Sequence, residues 1–183
     1  CIRDSNNPYC QDSEISWLDW KSIDRDLQSF VRGLLKFRAD HPVFRRRRWF
    51  EGRSIRGSQV HHDIGWFRPD GSEMSDEDWR ASYARALGVF LNGKGITSTD
   101  KRGHKVLDDS FYVIFNAGTE AHSFALPEGL NAQDWSLVVD TDAGTVTKPE
   151  AGAILRPGEL VKVCGRSTRV YQGSGLSIPG DPS

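Results

Sequence analysis

Apolar residues in the first quarter of the chain recur at steps of three and four, which is the spacing of one face of an α-helix. The residues that share this face are Ile23, Leu27, Phe30, Val31, Leu34 and Leu35. Ser22 or Asp24 can cap the helix at its start, since a short polar side chain there accepts a hydrogen bond from a free backbone amide. Pro42 disfavours helical backbone at His41, so we expect the helix to end near that residue. An amphipathic face of this kind needs an apolar surface to cover it.

The pattern changes from about residue 86 onwards, where short runs of apolar, β-prone residues replace the helical spacing. The clearest runs are residues 87–91, 111–115, 137–139 and 160–163. Turn-forming pairs such as Asn92-Gly93 and Pro157-Gly158 separate them. Several short strands joined by turns predict a mainly β fold, an antiparallel β-sandwich. Its expected core consists of Leu87, Val89, Phe111, Val113, Phe115, Phe124, Leu126, Trp135, Val138 and Val161.

The 183 residues carry 24 basic and 25 acidic side chains, which gives a net charge of -1 with neutral histidines. This balance supplies no overall attraction to nucleic acid or to an anionic membrane, so we expect neither as a partner. No apolar run approaches the ~20 residues of a membrane span, and no signal-peptide pattern opens the chain. We therefore expect a soluble, cytoplasmic protein. Cys1, Cys10 and Cys164 lack C-x-x-C spacing and predict neither a disulfide framework nor a zinc site.

Two local motifs suggest binding sites, and each also has a structural interpretation. The four arginines 45–48 lie between aromatic residues and could contact phosphates, as in nucleic-acid binding. We favour the alternative that they form salt bridges and cover aromatic surface at a domain junction. His61-His62-Asp63 resembles a metal triplet, but neighbouring side chains of an extended segment point to opposite faces. We therefore expect no metal ion and no cofactor.

Two long strings carry a family resemblance. The first is NNPYCQDSEISWLDW at residues 6–20, which is followed after the predicted helix by HPVFR at residues 41–45. The second is DIGWFRPDG at residues 63–71, followed by Glu73-Met74 and Asp78-Trp79. In this order they resemble the carboxy-terminal region of bacterial glycogen debranching enzymes of the isoamylase type, in glycoside hydrolase family 13. The resemblance extends over residues 6–163, most of the chain.

The resemblance implies a domain organisation. Residues 1–44 would form the last loop and helix of a catalytic (β/α)8 barrel, and residues 86–172 an accessory β-sandwich. Residues 45–85 would connect the two, and residues 173–183, rich in Gly, Ser and Pro, would form a flexible tail. A complete barrel takes about 250 residues, so most of it would lie outside this chain. Cys1 in place of an initiating methionine leads us to expect that the polypeptide is processed, excised or only part of a longer sequence.

The resemblance also implies a reaction, the hydrolysis of α-1,6 branch linkages in glycogen-type glucans. Retaining hydrolysis needs two carboxyl groups about 5–5.5 Å apart. In the family these acids would precede residue 6, so we expect this chain to contain no catalytic residue and to be inactive alone. The loop before the helix would bind substrate at the rim of the glucan cleft through Asn6, Asn7, Tyr9, Gln11 and Asp12. An equal alternative is that these side chains hold the loop in shape and pack it against the barrel.

The expected partners are an α-glucan, such as glycogen or limit dextrin, and the amino-terminal barrel of the same enzyme. Without that barrel, the sandwich or another polypeptide would have to cover the apolar face of the helix, and we expect association with a second polypeptide. The alternative function is that of a free-standing carbohydrate-binding or interaction module without catalysis, because six tryptophans could stack on sugar rings.

Overall fold

The computed structural model describes residue 17 and residues 19–52, 63–81, 85–130 and 132–174. Within these ranges there is one α-helix and there are nine β-strands. They are α1 (Arg25–Asp40), β1 (Ile64–Phe67), β2 (Ala86–Leu91), β3 (Ser110–Asn116), β4 (His122–Ala125), β5 (Asp134–Asp140), β6 (Thr145–Val146), β7 (Ile154–Leu155), β8 (Leu160–Val163) and β9 (Ser167–Ser174). The predicted mainly β fold is confirmed. Among the described residues, no helix has the length and apolar character that a bilayer crossing requires.

Both ends of α1 lie where the sequence predicts them. Asp24 is the N-cap, and its carboxylate accepts a hydrogen bond from the backbone amide of Leu27 at 2.9 Å. At the other end, the backbone N–H of His41 donates to the carbonyl oxygen of Phe37. Pro42 follows, and its ring and missing N–H prevent the α-helix from continuing. Local backbone chemistry therefore accounts for the length of the helix.

All strand pairs are antiparallel and belong to two sheets. The large sheet has the order β1-β2-β3-β9-β5, and β5 also pairs with the short strands β6 and β7. The small sheet consists of β4 and β8. β9 crosses the middle of the large sheet, with β3 on one side and β5, which carries an irregularity between Leu137 and Val139, on the other. Because β1 pairs with β2, the large sheet includes residues from the segment 45–85.

The core between the two sheets contains the bulkiest side chains. Trp135, Tyr112 and Phe124 are all 0% exposed and belong to one apolar cluster with residues of both sheets. The rings of Tyr112 and Trp135 lie 6.0 Å apart. A glycine is required at position 88, because a Cβ there would collide with the hydroxyl group of Tyr112. Burial raises the pKa of that hydroxyl above its ordinary value.

The outer face of the large sheet carries a second apolar cluster. Its buried members are Val43, Val89, Leu91, Ile96, Phe111, Val113, Val138, Val139 and Val170. Phe30, Leu34 and Phe37 of α1 pack against this cluster. Leu87, which we predicted in the core, also packs against it while remaining partly exposed. The described part of the protein thus has three layers, with α1, the large sheet and the small sheet in that order.

The prediction that Phe115 belongs to the core is wrong, because 44% of this residue is exposed. Phe115 shares the outer face of β3 with Phe111 and Val113, since side chains alternate along a strand. The rings of Phe37 and Phe44 contact Phe111, which lies at the opposite end of β3. The layer that covers the outer face therefore stops short of Phe115.

Candidate functional site

The five residues predicted to bind glucan lie outside the described residues. They are Asn6, Asn7, Tyr9, Gln11 and Asp12. The segment that follows them presents exposed aromatic surface, because Trp17 and Trp20 are 53% and 67% exposed. Next to Trp20, the Ser22 hydroxyl and then the Lys21 amide donate hydrogen bonds to Asp19 and lower the pKa of its carboxyl. A locally held turn therefore presents Trp20 at the surface just before α1.

The apolar face of α1 is divided into two stripes. The inner stripe, Phe30, Leu34 and Phe37, packs on the large sheet. The outer stripe consists of Leu27, Val31 and Leu35, which are 57%, 44% and 65% exposed. Of the predicted apolar face, the sandwich therefore covers the inner stripe and leaves the outer stripe uncovered in this chain. Consecutive residues are about 100° apart around a helix with 3.6 residues per turn, so one flat sheet covers only part of a face this wide.

His41 and Asp108 fasten the end of α1 to the sandwich. Nδ1 of His41 lies 2.9 Å from Oδ1 of Asp108, and Oδ2 of Asp108 accepts a hydrogen bond from the backbone amide of Val43 at 2.9 Å. Asp109 brings a third candidate metal ligand, and ligand atoms of the three residues lie within 4.8 Å of one another. However, Oδ2 of Asp109 accepts a hydrogen bond from the Gln172 amide at 2.6 Å. These contacts within the protein give the cluster a structural role.

Arg46 and Asp63 form a buried ion pair in the segment that joins α1 to the sheet. Nη2 of Arg46 lies 3.0 Å from Oδ2 of Asp63, and the two side chains are 4% and 6% exposed. The Asp63 carboxylate also accepts hydrogen bonds from the backbone amides of Glu51 and Gly52, at 3.1 and 3.0 Å. The Arg46 guanidinium lies 4.2 Å from the centroid of the Phe50 ring. For Arg46, the predicted role in a salt bridge over aromatic surface is confirmed.

The same contacts account for the aspartate of the string His61-His62-Asp63. Its carboxylate faces a guanidinium and two amides, which are the partners of a structural anion rather than of a metal ligand. His61 and His62 lie outside the described residues.

The other three arginines of the run line a cavity of about 490 Å³ beside the C-terminal end of α1. Arg38 from the helix and Trp49 also line this cavity, and Trp49 is 92% exposed. Nε of Arg45 donates a hydrogen bond to the carbonyl oxygen of Ala39 at 3.1 Å. Within the described ranges, no carboxylate pairs with Arg38, Arg45, Arg47 or Arg48. The sequence indicated the run of four arginines as possible phosphate contacts. That Arg38 joins them in one cavity could be recognised only from the structure.

A second cavity, of about 450 Å³, lies between the β1 turn and β4 and is lined by Arg68, Asp78, Glu120 and His122 among others. Two arginines, Arg68 and Arg85, line it, and Arg68 is already neutralised because it pairs with Asp70 at 2.5 Å and with Asp78 at 3.6 Å. The pKa of Asp70 is lowered to about 2, chiefly by hydrogen bonds from the hydroxyl and amide groups of Ser72 and then by Arg68. This cavity therefore offers balanced charge to a ligand.

Trp79 packs against a second tryptophan while about half of the residue stays exposed. Its ring lies edge-on to Trp66 with centroids 5.2 Å apart, yet 51% of the residue is exposed. The Asp78 carboxylate holds the preceding turn by accepting hydrogen bonds from the amide and hydroxyl of Ser75. Trp79 is thus a positioned aromatic surface beside the second cavity.

Comparisons with known proteins place this geometry in context. Residues 63–178 match the family model described as Isoamylase, C-terminal. The glycogen operon protein GlgX homolog of Mycobacterium tuberculosis is 47% identical over 140 residues, which cover 75% of this chain and 19% of that protein. The glycogen debranching enzyme of Pectobacterium carotovorum is 27% identical over 160 residues, covering 87% of this chain and 20% of that protein.

A solved structure, the pullulanase from Bacillus acidopullulyticus, aligns with 81% of this chain and 14% of its own chain, with a TM-score of 0.44 and 14% identity. The present chain spans about a fifth of the length of the curated relatives it matches.

Proposed function

The chain belongs to the isoamylase C-terminal family, and from this premise we propose that it acts as the carboxy-terminal portion of a glycogen debranching enzyme. The whole enzyme hydrolyses α-1,6 branch linkages of a glycogen-type glucan. Support comes from the family match over residues 63–178 and from similarity to relatives named for the glycogen operon and for glycogen debranching. The catalytic acids belong to the part of the enzyme that precedes this region.

The outer stripe of α1 is the structural observation that carries this proposal. Burial of an apolar side chain of this size stabilises a protein by about 1.5–3 kcal/mol, so three of them left in water call for another surface. We assign that surface to the catalytic barrel, with α1 as its last helix. The inner stripe then faces the sandwich, and Leu27, Val31 and Leu35 face the barrel.

The domain organisation in this proposal follows from the position of α1. Residues 1–44 belong with the barrel, residues 45–85 connect it to the sandwich, and residues 86–172 form the accessory sandwich. Gly173 and Ser174, which we assigned to a flexible tail, belong to β9, and residues 175–183 lie outside the described residues. The hydrogen bond from Arg46 to the Gly95 carbonyl holds the connector against the sandwich, and the His41–Asp108 contact holds the end of α1 there, so the two units are joined stiffly rather than by a loose linker.

The loop that precedes α1 lies at the rim of the glucan cleft in this arrangement. Asn6, Asn7, Gln11 and Asp12 supply amide and carboxylate groups for sugar hydroxyls, and Tyr9 stacks on a sugar ring. In the full-length enzyme, we expect Tyr9→Ala to raise KM for branched glucan about tenfold with kcat nearly unchanged, as for lost uniform binding. Trp79→Ala serves as the control and should leave KM unchanged. If Tyr9→Ala instead lowered kcat and left KM unchanged, the loop would shape the catalytic site without binding glucan.

The proposed function predicts that the isolated 183-residue chain is inactive. Purified chain incubated with amylopectin or glycogen should release no linear oligosaccharides, whereas the full-length enzyme should release them. A chain that debranches glucan by itself would contradict our placement of the catalytic acids.

Substitution of the outer stripe tests the proposed contact with the barrel. Leu35→Glu should change the unfolding free energy of the isolated chain by no more than about 0.5 kcal/mol, because the residue is already exposed. In the full-length enzyme, the same change should lower the thermal midpoint and the debranching activity. Ser29→Glu, on the exposed polar side of the helix, is the matched control and should affect neither. Identical behaviour of both variants in the full-length enzyme would exclude the stripe as the contact.

A free-standing glucan-binding module is the second candidate, and the exposure of Trp49 and Trp79 favours it. A pull-down of the isolated chain with insoluble glucan separates the two candidates. Tight binding that is lost in Trp49→Ala or Trp79→Ala would support the free-standing glucan-binding module. Weak binding that neither change affects would support a role as the carboxy-terminal portion of a debranching enzyme.

A further inference from the structure

The cavity beside the C-terminal end of α1 concentrates positive charge in a chain whose net charge is -1. Arg38, Arg45, Arg47 and Arg48 line it, and none of the four has a carboxylate partner within the described ranges. Positive charges that line one cavity repel one another, so an anion bound among them would stabilise the arrangement. The fifth arginine of the lining, Arg46, has its charge balanced by Asp63.

Arg46 supplies the rigid part of this cavity. Its guanidinium is held by the Asp63 carboxylate at 3.0 Å, by the carbonyl oxygen of Gly95 at 3.3 Å and by the ring of Phe50 at 4.2 Å. Its remaining terminal nitrogen, Nη1, is buried without a hydrogen-bond acceptor. A buried donor of this kind is unusual in native proteins. Arg46 is therefore a fixed side chain in the cavity wall, with one buried donor left without an acceptor.

Trp49 adds a second kind of recognition to the same cavity. It follows the arginine run directly and is 92% exposed, so its ring can accept a flat or sugar-like ring by stacking. Guanidinium groups present planar pairs of N–H donors that match phosphate oxygens bidentately. The cavity volume of about 490 Å³ lies within the range of about 300–1,000 Å³ that is usual for small-molecule sites.

From these observations we propose that the cavity binds a small organic phosphate, with its phosphoryl group among Arg38, Arg45, Arg47 and Arg48 and its ring against Trp49. A neutral glucan would leave the four guanidinium charges uncompensated, which distinguishes this site from the proposed glucan cleft. The charge is confined to one cavity, and a single cavity suits a mononucleotide or sugar phosphate better than a polynucleotide. The inference does not depend on the proposed function.

The test uses the complete 183-residue chain and titration calorimetry, with tryptophan fluorescence as a second signal. The probes are inorganic phosphate, glucose 1-phosphate and ADP, with glucose as the neutral control. We expect both ring-bearing phosphates to bind at millimolar concentration or below, inorganic phosphate to bind more weakly, and glucose not to bind. Preference for ADP over glucose 1-phosphate, or the reverse, identifies which ring the site accepts. Absence of binding by all three phosphates would overturn the proposal.

Two double variants separate a specific site from general charge attraction. The double variant Arg47→Gln/Arg48→Gln should weaken phosphate binding at least tenfold. Arg32→Gln with Arg156→Gln removes the same charge from outside the cavity lining and should leave binding unchanged. An equal loss of phosphate affinity in both double variants would overturn the proposal.

Trp49→Ala tests the stacking contact separately. It should reduce the affinity for glucose 1-phosphate and ADP to that for inorganic phosphate, and leave inorganic phosphate unaffected. All of these residues, including Arg32 and Arg156, are exposed, and circular dichroism should confirm that each variant remains folded. A single-stranded oligonucleotide that binds more tightly with increasing length than any mononucleotide would also overturn the proposal, in favour of a nucleic-acid surface.

Discussion

Asp63→Ala is expected to lower the free energy of unfolding by about 3–5 kcal/mol, because it leaves the buried guanidinium of Arg46 without its counter-ion. The same change removes the acceptor for two backbone amides, those of Glu51 and Gly52. Urea denaturation of the 183-residue chain, followed by circular dichroism, measures the loss. The large effect is expected because the ion pair and both amides are held by one carboxylate that is 6% exposed.

Two further variants serve as comparisons for Asp63→Ala. Asp70→Ala removes an aspartate that also pairs with an arginine, but its side chain is 58% exposed, so the loss should be much smaller. Asp63→Ala combined with Arg46→Met removes the unpaired charge and should recover part of the stability, though not the two amide hydrogen bonds. Similar losses for Asp63→Ala and Asp70→Ala would contradict the structural role of the buried pair.

Phe111→Ala is the second change expected to have a large effect, a loss of about 3–5 kcal/mol. Phe111 is 0% exposed, and its ring lies 4.8 Å from His41, 4.9 Å from Phe44 and 5.5 Å from Phe37. It is therefore the side chain through which the sheet holds both the end of α1 and the turn that follows. The measurement is denaturation together with hydrogen exchange of the α1 amides.

Phe124→Ala is the matched control, because Phe124 is also 0% exposed but lies in the core between the two sheets. The two variants should lose similar amounts of global stability. Amides of α1 should exchange faster in Phe111→Ala than in Phe124→Ala, since only the former loosens the contact between helix and sheet. Equal exchange in the two variants would show that α1 opens only when the whole domain unfolds.

These two experiments concern the geometry on which the proposed function depends. If α1 belongs to a catalytic barrel, then the contact of Phe111 with Phe37, His41 and Phe44 is the joint between barrel and sandwich. A substitution that weakens this joint should affect the activity of the full-length enzyme differently from a core substitution that lowers the unfolding free energy by the same amount. We expect Phe111→Ala to lower debranching activity more than Phe124→Ala at a temperature where both variants remain folded.

Local features could be predicted because their causes are close in sequence. The start of α1 follows from the Asp24 side chain and a backbone amide three residues away, and its end follows from Pro42. The strands of the sandwich follow from short apolar runs between turns, and the family follows from two strings in a fixed order. Each of these conclusions needs only the order of neighbouring residues.

The amino-acid sequence by itself determined the helix, the β-rich class and the family of this protein. The tertiary structure decided which stripe of α1 is buried, why Phe115 is exposed, and that Asp63 pairs with Arg46 instead of acting beside two histidines. Periodicity gives the direction of a side chain relative to its own helix or strand, whereas burial and pairing depend on which other surface lies opposite. That information arises only when segments distant in the chain meet, as α1 and β3 do at Phe111.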